Sequence, residues 1–218
     1  MSAYSAVPHD SHHALRPRDE SQRIAIIRAV LALVWAAAVI IAVAGDAPTT
    51  GADLATGLAA LLASYPLIDV VASIAGARYD GASRNVLRVN TAISTAAVIA
   101  IAATGFGSDA GTTLASFGVW AAISGTIQFG AAIHRRHSRG GQLPMIVSGG
   151  LSTIAGLGFI AQSGGHAARV TYIGGYMALG AVLYLLSALD GRAHTHPVAS
   201  RNQSTRSLSQ TAAPHADQ

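Results

Sequence analysis

Six apolar stretches, each near the roughly 20 residues an α-helix needs to cross a bilayer, run at about 24–45, 52–76, 85–105, 111–133, 143–163 and 167–189. That pattern leaves few folds open, because in hydrocarbon each backbone N–H and C=O must be satisfied within a helix or a closed barrel. Ala, Gly, Leu, Ile and Val dominate all six stretches, and the alternation that marks barrel strands is absent. The expected fold is therefore all-α, a bundle of six transmembrane helices. Only 11% of the 218 residues are charged, against about 25% in an ordinary soluble domain. The mean hydropathy of +0.42 agrees with a lipid solvent.

The membrane domain predicted at 23–191 is flanked by polar segments at 1–22 and 192–218, rich in Ser, His and Arg and without apolar periodicity. Such segments bury too little surface to offset the entropy of ordering, so they read as disordered tails. All 14 basic residues are Arg, and their placement sets an orientation, because insertion retains basic loops in the cytoplasm. Arg16, Arg18, Arg23 and Arg28 precede or begin the first span. Arg78, Arg84 and Arg88 surround the second connection, Arg135, Arg136 and Arg139 fill the fourth, and Arg192, Arg201 and Arg206 follow the last span. The remaining connections carry Asp46, Asp53, Asp109 and one arginine, Arg169. Both termini are thus expected in the cytoplasm, with the bacterial inner membrane as the location. The pI near 10.0 is explained by this topology, and no basic stripe interleaved with aromatics speaks for nucleic acid. A competing reading makes the first span a signal peptide, with Ala42-Val43-Ala44 before Gly45 as the cleavage site. The stretch before it is long and the apolar run exceeds a normal signal core.

Internal similarity suggests an economical arrangement. A shift of about 60 places sets Arg28 on Arg88 and Gly45 on Gly105; one of about 55 sets Phe117 on Tyr172, Gly125 on Gly180 and Phe129 on Tyr184. Three helical hairpins of about 55–60 residues account for these matches.

The stretch from Phe117 through Trp120 and Gly125 to Gln128, followed by Ala132-Ile133-His134-Arg135-Arg136 and then Gly141 to Gly149, resembles the short repeat of the HdeD-like acid-resistance membrane proteins. Trp120, Gly125, Arg135, Arg136 and Gly149 match the repeat's Gly/Trp helix, basic turn and following Gly-bearing helix. Leu143 stands where that family often has Trp, and the likeness covers about 117–160, a minority of the chain. The resemblance implies a six-span inner-membrane protein, with acid-stress tolerance as the role of the name-giving branch. It supplies no catalytic residues, and the His- and Arg-bearing tails depart from the family's compact pattern.

Asp69 is the sharpest candidate for chemistry. It lies inside the second span, three residues after Pro66 and nine before Arg78, where an ionised carboxylate costs on the order of 2.5–3.5 kcal/mol and so demands a partner or a proton. Pro66 removes a helix hydrogen bond one turn earlier. Asp69 is either a protonatable site on a proton or solute path, or half of a structural pair with Arg28 or Arg88, or hydrogen-bonded to Asn90 or Gln128. Asn90 and Gln128 are otherwise expected to bond between helices. Small residues at four-residue spacing, Ser148, Ser152 and Gly156, then Ala121 and Gly125, then Gly174 and Ala178, are expected to let helices approach closely, within the chain or between copies of it.

Several patterns carry less. Gly156-Leu-Gly158-Phe-Ile-Ala161 has the letters of a dinucleotide fingerprint, but inside an apolar span it lacks the strand-to-helix setting that gives the motif meaning. His134 with His137, and His194 with His196, have metal-compatible spacing, but Arg135, Arg136 and Arg139 oppose a cation beside the first pair. Tyr79 and Tyr172 at span ends fit an interfacial belt. The chain has no Cys, which removes thiolate catalysis and Cys-ligated metals. No cofactor or metal is expected, and the expected partners are the lipid bilayer and other copies of the chain. The expected function is non-enzymatic, in acid or envelope stress tolerance; the alternative is a small channel or transporter moving protons or a solute past Asp69. A membrane-embedded enzyme is a third class, but no paired carboxylates, ligand cluster or nucleophile with a base supports it.

Overall fold

The computed structural model describes residues 17–45, 48–79, 84–136, 142–165 and 170–193. Within them lie six helices: α1 (Pro17–Val43), α2 (Thr56–Tyr79), α3 (Arg84–Gly107), α4 (Ala110–Arg135), α5 (Leu143–Ser163) and α6 (Thr171–Ala193). All six are long and apolar enough to cross a membrane. The chain is a multi-pass, membrane-embedded, all-α protein.

Helix ends follow local chemistry. α1 opens on Pro17, whose fixed φ suits a first helical position, so the helix begins within the stretch expected to be tail. α2 opens at Thr56, later than the apolar run begins, because Ala52 and Asp53 serve another purpose: the Ala52 carbonyl accepts from Ala110 N at 2.9 Å, and Asp53 forms an isolated antiparallel bridge with Asp109. α3 and α4 are separated by only Ser108 and Asp109. Asp109 caps α4: its side chain accepts from Thr112 N at 2.9 Å and from the Thr112 hydroxyl at 3.0 Å. Residues 1–16 and 194–218, with most of the two expected tails, fall outside the described residues, as do His137, Arg139, Arg169, His194 and His196.

The helices pack as a ring in chain order, and α6 closes it against α1. The most extensive contact is α4 with α5, followed by α2 with α3 and α1 with α6; α5 with α6 is the slightest. The three closest seams therefore alternate with the seams inside the expected hairpins. Close approach has a visible cause at α4–α5. A Cβ on Gly156 would lie 2.4 Å from Ala122 N, one on Gly125 2.7 Å from Ser152 Cβ and one on Gly149 2.6 Å from Phe129 N. These glycines permit backbone contact that any side chain would prevent, the means by which helices gain dispersion energy where lipid offers no hydrophobic drive. Gly174 does the same against Ile40 of α1.

Because consecutive helices run in opposite directions, the termini and the α2–α3 and α4–α5 connections share one face, here the terminal face. The other three connections meet at the far face. There Gly111 N donates to Thr50 O at 3.1 Å, and the Thr50 hydroxyl donates to the Gly165 carbonyl. The interior beneath them is apolar, with Val39, Leu62, Ile101, Leu114, Phe117, Val170 and Ile173 fully buried. The outside is apolar too: Ile41, Val71 and Ile154 are 74%, 65% and 69% exposed. Such a surface suits hydrocarbon and would not suit water.

Candidate functional site

Apart from Thr113, the buried polar side chains among the described residues gather in the terminal half of the ring. Arg28 lies six residues into the span that starts at Gln22, and Asp69 nine residues before the span end at Arg78. At 1.5 Å per residue these are depths of about 9 and 14 Å from one face. The Arg28 guanidinium forms an ion pair with Asp69 Oδ1, and its Cζ sits 3.9 Å from the centroid of the Tyr184 ring, a cation–π contact. Asn90 Nδ2 donates to Asp69 Oδ2 at 3.0 Å and to Ser73 Oγ at 2.9 Å. Ser94 Oγ reaches the same carboxylate oxygen at 3.5 Å and in turn accepts from Trp120 Nε1 at 3.2 Å. Three helices, α1 and α3 directly and α4 through Ser94, thus converge on the α2 carboxylate, and α6 covers its cation.

A second strand of bonds runs alongside. The Tyr184 hydroxyl donates to Gln128 Oε1 at 2.6 Å, while Gln128 Nε2 reaches Met145 O at 3.5 Å. Ser152 Oγ lies 3.0 Å from the Ala121 carbonyl and 2.6 Å from the Tyr176 hydroxyl. Among the described residues no buried side-chain N or O lacks a partner, as a low-dielectric interior requires. Between the two strands is a cavity of about 50 Å³, bordered by Arg28, Asp69, Ser124, Ser148, Ser152 and Tyr184. Its size and polar walls suit water. Its far side is closed by aromatic rings. Tyr65, Phe117 and Trp120 lie with centroids 5.2–6.1 Å apart, and Phe117, Phe159 and Tyr176 at 5.7–6.2 Å, mostly edge to face.

Of the partners expected for Asp69, Arg28 and Asn90 touch it, and Arg88 and Gln128 do not. Arg88 is two residues from Asn90, hence about 200° round the helix; with Asn90 turned inward, Arg88 points out and lines a surface groove with Arg78 and Arg84. Gln128 is engaged by Tyr184 and Met145 instead. Gly125, Ser148, Ser152, Gly156 and Gly174 lie at helix contacts or on the cavity wall. Ser73 and Ser94 were not singled out from sequence, and Trp120 and Tyr184 entered only as repeat matches, not as polar partners. The first two had a usable signal, since Ser73 follows Asp69 and Ser94 follows Asn90 by four residues, one turn along the same face. Tyr184 and Trp120 are aromatic polar groups away from the span ends, which must find a partner there.

The dinucleotide-like glycines sit mid-way along α5, with no strand before them. His134 is in the last turn of α4, and among the described residues no group of three His, Cys, Asp or Glu side chains comes together. The cavity beside the Asp69 cluster has polar walls that suit water. Comparison with known proteins adds no relative to this geometry: no family model, curated protein or solved structure matches the chain.

Proposed function

We propose that this chain is a non-enzymatic protein of the bacterial inner membrane, of the HdeD-like kind, serving acid or envelope stress tolerance with both tails in the cytoplasm. The observation that carries the non-enzymatic reading is the saturation of the polar cluster. Asp69 is engaged through both oxygens by Arg28, Asn90 and Ser94, and the adjoining cavity of about 50 Å³ is too small for a metabolite. The HdeD-like reading rests on the resemblance over about 117–160, a stretch whose Gly125 and Gly149 pack α4 against α5. The distribution of arginines supports the orientation. The test is survival of a strain lacking the chain after acid and envelope challenge. Lower survival, restored by the wild-type chain, is the expected result. Unchanged survival under both challenges would remove the stress reading.

The cavity beside Asp69 favours a second reading, a proton path. Water there would touch a protonatable carboxylate and three hydroxyl-bearing serines, the elements of an intramembrane relay. Conduction across the whole ring would require the aromatic layer and the apolar far half to part. Proton flux into liposomes under an imposed pH gradient, compared for wild type and Asp69→Asn, decides it. Flux lost in the variant makes Asp69 part of a path; no flux in either removes simple proton conduction.

A further inference from the structure

Three arginines converge on a groove that the interior network does not use. Arg78, at the end of the α2 span, and Arg84 and Arg88, in the first turns of α3, line it with Ile74, Ala77 and Thr91, over a space of about 530 Å³. All three are exposed. Among the described residues no carboxylate lines the groove, and none of the three arginines makes an ion pair or hydrogen bond with another described residue. Topology alone asks for arginines near span ends; it does not ask for three to face one groove. From Arg78 an apolar strip runs along α2 into the membrane through Ile74, Val71 and Leu67, which are 44%, 65% and 45% exposed and spaced by three or four residues, so they lie in line.

We propose that this groove binds an anionic phospholipid. The headgroup phosphate is held by Arg78, Arg84 and Arg88 at the depth where span ends meet headgroups, and an acyl chain lies along Ile74, Val71 and Leu67. Guanidinium forks match phosphate oxygens in geometry as well as charge. The three arginines of the described lining favour an anionic over a zwitterionic headgroup. The site is independent of the Asp69 cluster and of any role assigned to it.

The test uses the full chain in neutral detergent, with lipid occupancy read by native mass spectrometry and thermal unfolding followed in parallel. Phosphatidylglycerol, phosphatidylcholine and inorganic phosphate are titrated separately. Phosphatidylglycerol is expected to bind and raise the unfolding temperature, phosphatidylcholine to bind more weakly and inorganic phosphate to do neither. Arg88→Gln and Arg84→Gln should each weaken phosphatidylglycerol binding about fivefold, while Arg23→Gln, at an exposed position on α1, should leave it unchanged. Single substitutions preserve most of the arginine asymmetry, so the chain should still insert correctly. Equal binding of the two lipids, wild-type affinity in Arg88→Gln and Arg84→Gln, or a matching shift from inorganic phosphate would overturn the proposal; the last would make the groove a site for soluble phosphate.

Discussion

The two halves of the ring bury their interiors by different rules. The far half is closed by apolar packing around Leu62, Ile101, Leu114 and Phe117 and tied at its surface by backbone bonds from Thr50 and Ala52 to the start of α4. The terminal half holds a charged pair, two carboxamides and several hydroxyls around a water-sized cavity. Apolar packing tolerates small changes of shape, whereas a buried charge in low dielectric tolerates almost none of its partner's removal. The buried charge and the cavity belong to the terminal half, and the core of the far half is built from apolar side chains.

The largest effect should fall on what both halves share, the α4–α5 seam. Gly156→Leu would drive a side chain into the Ala122 and Gly118 backbone, and the variant should fail to give a monodisperse folded protein in detergent. Stable, monodisperse Gly156→Leu protein would show that the seam can open.

Next comes the pair. Arg28→Met alone or Asp69→Leu alone leaves an uncompensated buried charge, and each should lower stability by about 3–5 kcal/mol. The double substitution should recover most of that loss. Leu62→Ala in the far half should cost about 2 kcal/mol, the low end of the usual range because lipid already solvates an exposed Leu, and no second substitution should rescue it. Reversible unfolding in mixed micelles measures all four; additive losses at Arg28 and Asp69 would mean that the pair is not coupled.

The smallest effect is at the far face. Hydrogen bonds from the backbone and side chain of Thr112 hold the Asp109 carboxyl below the ordinary aspartate value of 3.8. A depressed folded-state value means that the stabilisation is present above the unfolded value and is lost as pH falls through the folded one. Asp109→Ala should therefore lower the unfolding temperature slightly near neutral pH, and the difference from wild type should vanish in strong acid. A difference that persists there would assign the cap's contribution to something other than the ionised carboxylate.

Asp69 shows how far the site was legible in the chain. An ionisable residue at that depth advertises its need for a partner, and Arg28 and Asn90 were among the few groups able to answer. The choice between Arg28 and Arg88 depends on rotation about the α3 axis. Arg88 and Asn90 cannot both face inward, and an apolar helix that is greasy all round gives no periodic signal of which side does. Tyr184 joins the cluster from 115 residues after Asp69, a distance at which one chain read alone carries no pairing information. The glycines at α4–α5 were partly readable from their spacing and from the repeat, whereas Gly118 became meaningful only once α5 was set against α4.

Read alone, the amino-acid sequence settled that this chain crosses a membrane six times as helices and that its intramembrane carboxylate demands a partner or a proton. Both follow from the cost of leaving polar groups unsatisfied in hydrocarbon, which is a property of composition and length. The tertiary structure alone decided the ring order, the partner of Asp69, the water-sized cavity and the convergence of Arg78, Arg84 and Arg88. These depend on how each helix is turned about its own axis, and that rotation is set by backbone contacts between helices rather than by any preference within one of them.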